Sequence, residues 1–284
     1  MSTKINIITS ISLLLFSVSS LFSQEATATL AEKYTARNKG KFFIFWGGNR
    51  DSYSKSDIHF KGTDYNFTIH DVVAVDRPKG WHVDYIIPTR MTIPQTNFRM
   101  GYFISDKYSI GVGVDHMKYV MYQNQNVAIS GNYPASYNGN QINNGILDLT
   151  DENFLTFEHT DGLNFVHAEI SRFDDFSKIF KIKNTDKFQV NLTEGFSAGL
   201  MYPKTNSKLL GKPRYDDYHV SGYGVAAKVG LNLTFFKHYF IQTELKGGYI
   251  NMNDIKTTFN DADSASQKFF FLQEIISFGG IFKI

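Results

Sequence analysis

The chain has 284 residues, with 29 Lys+Arg against 27 Asp+Glu, no Cys, 22 Gly and 15% aromatic residues. A formal net charge of +2 lacks the basic excess of nucleic-acid binders, so no nucleic acid is expected as a partner. The missing Cys excludes disulfides, thiolate metal sites, iron–sulfur clusters and Cys nucleophiles.

Residues 1–24 have the layout of a secretory signal peptide. Lys4 supplies a short basic region, Ile7 to Phe16 an apolar run, and Ser17 to Gln24 a Ser-rich end, with cleavage expected near Ser23 or Gln24. The apolar run falls short of the ~20 residues that a spanning helix needs. No Cys follows it, which excludes a lipoprotein anchor. The division expected is a signal peptide at 1–24, an N-terminal periplasmic segment at 25–40, and one folded domain at 41–284.

Beyond that leader the pattern is alternation. Phe42 to Trp46 reads as an aromatic strand, and Ile58–Phe60 with Tyr65–Ile69 as a hairpin across Lys61 to Asp64. Asp76 to Pro94, with Pro78, Pro88 and Pro94, reads as a long outside loop. Further strands are expected near 95–105, 108–122, 152–174, 187–203, 219–235, 238–251 and 267–284. In the second of these, Ile110, Val112 and Val114 alternate with Gly111, Gly113 and Asp115. Period two with small or polar residues opposite apolar ones marks a strand between two different environments. Several stretches reach the ~9–11 residues of a tilted membrane-crossing strand. Ser105–Lys107 and Phe236–His238 make tight connections, Phe176 to Lys187 one of medium length, and 123–151, 204–218 and 252–266 long ones. Alternating short and long connections are how transmembrane barrels dispose their periplasmic turns and outside loops. The expected fold is all-β: an antiparallel transmembrane β-barrel of about ten strands, within a range of eight to twelve, with both ends in the periplasm of a cell with an outer membrane. The aromatics are expected mainly on the lipid face and in two interfacial girdles.

A resemblance points the same way. Gly40-Lys-Phe-Phe-Ile-Phe-Trp-Gly-Gly-Asn-Arg50, Ser54-Lys-Ser-Asp-Ile-His-Phe-Lys-Gly62 and Gly113-Val-Asp-His-Met-Lys-Tyr-Val120 resemble outer-membrane barrel proteins of Bacteroidetes-type bacteria. That resemblance implies fold and location, and no activity. Locally, Phe157-Glu-His-Thr-Asp-Gly-Leu-Asn164 is similar to the His-x-Ser-Asn-Gly motif of lipid A deacylase barrels, whose catalytic pair lies on the outer wall. Here Asp161 stands where that motif has its serine, and Thr160 is one residue off register, so the expected nucleophile is missing.

Four sets of residues are candidates for chemistry. His159 and Asp161 share a face with Leu155, Phe157, Leu163 and Phe165, which reads as lipid-facing; a His there needs a hydroxyl in reach to transfer an acyl group. His116 and Lys118 share the wall of Val112 and Val114 and suit contact with lipid head groups, against an interfacial belt with Tyr119 and Tyr122. Arg50, Asp51, Lys55 and Asp57 form a polar cluster expected at the barrel mouth, either a ligand cup or filling of a narrow interior. Asp174–Asp175 and Asp216–Asp217 are short carboxylate pairs, too few in oxygens for a calcium site by themselves; no metal and no cofactor is expected. The Asn-rich segment 123–151 is a possible surface for a ligand.

The leading expectation is therefore a monomeric integral outer-membrane protein of non-enzymatic role: structural, surface-interacting or a narrow pore, in contact with outer-membrane lipid and lipopolysaccharide. The alternative is a lipid A-modifying acyl hydrolase built on His159 at the lipid-facing wall.

Overall fold

A computed structural model describes residues 37–77, 95–137, 140–142 and 144–283. The expected signal peptide, residues 25–36, and 78–94 of the Asp76–Pro94 loop lie outside the described residues. Among the described residues every regular element is a strand. In chain order these are β1 (Lys41–Tyr53), β2 (Ser56–Lys61), β3 (Asn66–Val72), β4 (Ala74–Val75), β5 (Thr96–Phe103), β6 (Tyr108–Met121), β7 (Asn126–Asn132) and β8 (Ser136–Tyr137). They continue with β9 (Asn140–Gln141), β10 (Ile146–Asp148), β11 (Leu155–Asp175), β12 (Phe188–Met201), β13 (Asn206–Leu209), β14 (Gly222–Phe235), β15 (Tyr239–Lys256) and β16 (Ser264–Lys283).

Eight of them close a barrel. The order is β1-β5-β6-β11-β12-β14-β15-β16, all antiparallel, and β16 pairs back onto β1 from Lys41↔Lys283 to Tyr53↔Phe271. Closure removes every free edge from the barrel. The count is thus at the low end of the expected range. The hairpin β2–β3 accounts for the difference: β2 pairs with Ser264–Gln267, the stretch of β16 that β1 does not reach, and so stacks above the barrel instead of entering its wall. β3, β7 and β10 follow β2 side by side. On other long strands, β13 pairs with Leu155–Glu158 of β11, and β4 with Val120 and Met121 of β6. The result is a second tier at the end opposite the chain termini, the distal tier. The short connections lie at the other end. In one of them Phe236 (φ 53) and Lys237 (φ 67) both take the left-handed conformation that a two-residue hairpin turn demands, closed by His238 N–H to Phe235 O at 3.1 Å.

The two levels differ in polarity, and single strands record the change. Along β11 the inward residues run Leu155, Phe157, His159, Leu163, Phe165 and then His167, Glu169, Ser171. Its outward residues run Thr156, Glu158, Thr160 and then Val166, Ala168, Ile170. On β6, inward Ser109, Gly111, Gly113 and Asp115 give way to Met117, Tyr119 and Met121, while outward Ile110, Val112 and Val114 give way to His116 and Lys118. The barrel proper is apolar outside and polar inside, the pattern of a strand that meets lipid. The distal tier is polar outside and apolar inside, the pattern of a structure that meets water.

The aromatic residues follow this inversion, which corrects the expectation that most of them face lipid. Phe60, Phe67, Phe154, Phe157, Phe165, Phe269 and Phe271 pack inside the distal tier with Tyr65, Tyr119, Met117, Met201 and Ile250. A second cluster, Phe43, Phe45, Phe103, Phe240 and Ile281, caps the interior near the termini. Each such side chain is worth ~1.5–3 kcal/mol when taken from water. Trp46, Phe98, Val112, Ile170, Phe196, Ile241, Ile276 and Phe278 are among the large apolar side chains that remain exposed on the outer wall.

Candidate functional site

Between the two aromatic clusters the barrel interior is filled by charge. The inward positions of five strands bring together Arg99 (β5), Asp115 (β6), His167 and Glu169 (β11), Lys228 (β14), and Glu244 and Lys246 (β15). Asp115 takes Arg99 Nη2 at 2.5 Å on one oxygen and Lys246 Nζ at 2.7 Å on the other. His167 Nε2 lies 3.3 Å from Lys246 Nζ and 3.4 Å from Asp115 Oδ2. Glu169 is reached by Arg99 Nε at 3.5 Å and by Lys228 Nζ at 2.7 Å, and Lys228 also holds Glu244 at 2.7 Å. Arg99 is 1% exposed and Lys246 0%. Three cations thus face three carboxylates, an arrangement in which each buried charge has the partner that desolvation makes obligatory. Small residues admit these long side chains: Gly111, Gly113, Gly195 and Gly230 sit at inward positions beside them, and a Cβ on Gly113 would collide with Arg99.

Amides extend the network in both directions. Toward the distal tier, Asn97 donates to Asp115 (2.5 Å) and to Gln273 (3.1 Å), Gln273 donates to Asp51 (3.0 Å), and Gln95 donates to Asp51 (3.0 Å) and Asp76 (2.6 Å). Toward the termini, Gln242 donates to Glu244, and Asn232 donates to Gln242 (2.7 Å). Chemically the interior is a polar plug whose ion-paired centre, three cations against three carboxylates, is neutral.

The expected mouth cluster does not assemble. Asp51 is inward and belongs to the plug, whereas Arg50, one residue earlier, points outward and donates from Nη1 to the carbonyl of Asn49 at 2.9 Å. Lys55 is exposed in the connection from β1 to β2. Asp57 is exposed on the outward face of β2 and contacts His70 at 3.2 Å.

His159 is not on a lipid-facing wall. It is wholly buried in the distal tier, against Phe157, Tyr119 and Thr205, whose hydroxyl lies 3.0 Å from Nδ1. The apolar face it shares with Leu155, Phe157, Leu163 and Phe165 is the inner one at this level, because the tier inverts the polarity of the barrel. Burial pushes its pKa down to about 3, so the ring is neutral. Asp161 does not join it. Thr160, Asp161 and Gly162 bulge opposite Lys118 alone, with Gly162 at φ 140, and this carries Asp161 to the surface, 3.5 Å from Lys204 Nζ. A hydroxyl partner for His159 therefore exists, but the pair is sealed in an aromatic core, away from any lipid.

His116 and Lys118 do lie on the outward face of β6, as the alternation implies, and both are buried, at 5% and 7% exposure. His116 Nδ1 lies 2.8 Å from Asn164 Oδ1 on β11, and burial lowers its pKa. Neither carboxylate pair gathers oxygens for a cation: Asp174 is held by Arg172 and Lys107, and Asp216 by Lys204 and Arg214. Among the described residues no group of three or more His, Cys, Asp or Glu is placed to hold a metal ion.

Arg99, Lys228, Glu244 and Lys246 belong to no motif of the sequence, although a signal for three of them exists. Lys228, Glu244 and Lys246 fall at inward positions between small or polar residues, so extending the alternation through β14 and β15 places them inside. His167 and Glu169 share one face of β11 two residues apart, and their cationic partners come from other strands.

No family model matches the chain, and no curated protein matches it by sequence. Solved structures similar to it include the outer membrane protein OprG from Pseudomonas aeruginosa, with 10% identity, 87% of this chain and 98% of that chain covered, and a TM-score of 0.34. The outer membrane protein AlkL in lipid bilayers has 9% identity, 93% and 98% coverage, and a TM-score of 0.38. Ail, the attachment invasion locus protein of Yersinia pestis, has 9% identity, 86% and 99% coverage, and a TM-score of 0.30.

Proposed function

We propose that this chain is an integral outer-membrane protein whose barrel is a solid mount and whose distal tier is the part that meets the outside. The observation that carries the reading is the neutral plug of Arg99, Asp115, Glu169, Lys228, Glu244 and Lys246, backed by aromatic clusters above and below it. An eight-stranded barrel is just wide enough for its own side chains to fill, and here they do so with paired charges that would each have to be stripped of a partner to open a path. A pore role is therefore set aside in favour of presentation at the surface.

The outer membrane is the site that suits these features. The outward band of the barrel wall is apolar, two of its tightest turns (104–107 and 236–238) lie at the end that holds both termini, and its polar-coated tier stands at the opposite end. Export by cleavage of residues 1–24, contact of the wall with outer-membrane lipid and lipopolysaccharide, and a monomeric state complete the proposal. The part of 123–151 that forms β7 and β10 belongs to the tier, which makes that region the surface offered to a ligand.

Reconstitution of the purified chain into a planar bilayer tests it. The reading predicts a conductance indistinguishable from that of the bare bilayer, with the protein recovered in the outer-membrane fraction of cells. Discrete ion-conducting steps, or recovery in the soluble fraction, would contradict it.

A further inference from the structure

The solvent face of the distal tier carries a second constellation, separate from the barrel interior. β2, β3 and β7 lie side by side, and their outward positions are Asp57, His59 and Lys61, then Asn66, Thr68 and His70, then Ala128, Ser130 and Asn132. Three of these residues touch in sequence. Ser130 Oγ lies 2.7 Å from His70 Nε2. His70 Nδ1 lies 3.2 Å from Asp57 Oδ2. The other oxygen of Asp57 accepts the backbone N–H of Asp71 at 3.0 Å.

A local irregularity builds this. The β2–β3 register shifts between Ser56 and Ile58, so that His70 and Asp71 together oppose Asp57, with Asp71 in the left-handed region at φ 52. Such a bulge re-aims side chains and is found next to reacting centres. Here it sets the Asp71 amide and the His70 ring on the same carboxylate. With the ring proton on Nδ1, the side that the Asp57 carboxylate faces, the Nε2 lone pair faces the Ser130 hydroxyl. Ser130 pairs directly with Thr68, and His70 is its diagonal neighbour, within the reach of a ring across two strands. β10 pairs with β7 only over 126–128 and leaves the edge at Ser130 and Gly131 uncovered by that strand.

We propose that Asp57, His70 and Ser130 form a nucleophilic acyl-transfer site for carboxylic esters with short acyl groups. A hydroxyl on Nε2 and a carboxylate on Nδ1 of one imidazole is the arrangement by which such sites are recognised on unrelated folds. Ser130 Oγ attacks the ester carbonyl carbon while His70 Nε2 takes the hydroxyl proton. The bond from carbonyl carbon to alcohol oxygen then breaks, and His70 returns that proton to the departing alcohol. Water attacks the acyl-serine, gives one proton to His70 and its hydroxyl to the acyl carbon, and His70 reprotonates Ser130 as the carboxylic acid leaves. The surrounding outward residues His59, Lys61, Asn66, Thr68 and Asn132 are polar and Ala128 is small, so nothing there receives a long alkyl chain. The site thus differs in place and in substrate class from one acting on membrane lipid.

The test uses the full chain in detergent micelles, p-nitrophenyl acetate as substrate and a fluorophosphonate as probe. The proposal predicts a phosphonyl adduct on the peptide that contains Ser130, and ester hydrolysis that S130A abolishes. His70→Gln should slow both reactions by about 10²–10⁴-fold, the usual contribution of a positioned base. Asp57→Asn should slow them by less than about tenfold, because a carboxylate this exposed interacts weakly with its partner. Lys208→Ala, exposed on β13 and outside the β2–β3–β7 face, should leave both unchanged, and a heat-induced shift in electrophoretic mobility confirms that each variant is a folded barrel. Folded wild-type protein that carries no adduct on Ser130, or labelling and hydrolysis that persist in S130A, would overturn the proposal.

Discussion

Lys246 and Asp115, 131 residues apart in the chain, meet inside the barrel with Nζ 2.7 Å from Oδ2 and no solvent at either side chain. The contact joins β15 to β6 across the interior, strands that are not neighbours in the wall. Removing one partner of such a pair costs ~3–5 kcal/mol, because the survivor stays buried and uncompensated. Lys246→Met should therefore lower the urea midpoint of the barrel in micelles sharply. Asp115 keeps Arg99, but three carboxylates then face two cations, and adding Asp115→Asn should recover part of the loss by restoring the balance of charge. Equal midpoints for wild type and Lys246→Met would mean that the plug is not a closed, dry network.

The inversion of polarity makes a second prediction, read from one kind of substitution at two heights. Val112 lies in the apolar outward band of β6, opposite Met100 and Ala168. Arg at such a position costs ~2–4 kcal/mol near the membrane midplane. Ala128 lies outward on β7 in the distal tier, where a surface change is worth about ±0.5 kcal/mol. Unfolding free energies measured in lipid should separate Val112→Arg from Ala128→Arg by that margin.

Alternation along the chain was enough to read the barrel, its tight turns and the distribution of its long connections. It was not enough to count its strands, because the 58–69 hairpin alternates as a wall strand does yet pairs with the far end of β16. Nor does period two reveal which face is the inner one. Leu155, Phe157, Leu163 and Phe165 form an apolar face that means lipid at one height and protein core at another, and only the height decides. That is why His159 and Asp161 looked like neighbours on an outer wall, when the Gly162 bulge sends one to the surface and the tier swallows the other. The Asp57, His70 and Ser130 arrangement spans three strands and depends on a bulge at Asp71, which no spacing in the sequence announces.

His159 ties the tier to pH. Its folded-state pKa of about 3 lies below the ordinary 6.5, so the fold holds the neutral ring. Above about pH 6.5 neither folded nor unfolded chain is protonated there and no stability is lost. As pH falls from 6.5 toward 3 the unfolded chain takes up a proton that the folded chain refuses, and stability declines by up to about 1.4 kcal/mol per pH unit. Protection factors of the amides of 155–159 and 206–209, taken against the intrinsic exchange rate at each pH, should fall over that window in the wild type. In His159→Gln, where an amide keeps a contact to Thr205 without titrating, the contribution of this residue should vanish. Identical acid profiles for the two proteins would contradict this.

The proposed placement is a barrel set in a membrane with its polar-coated tier outside, and the absence of Cys allows a direct measurement. Single cysteines at Ala128 (distal tier), Val112 (apolar band) and Lys237 (turn at the end of the termini) are exposed, in cells that make the protein, to a maleimide that does not cross membranes. The prediction is labelling at 128 in intact cells, at 237 only after the outer membrane is opened, and at 112 only after unfolding. Labelling of 112 in the native protein, or of 237 and not 128 in intact cells, would contradict it.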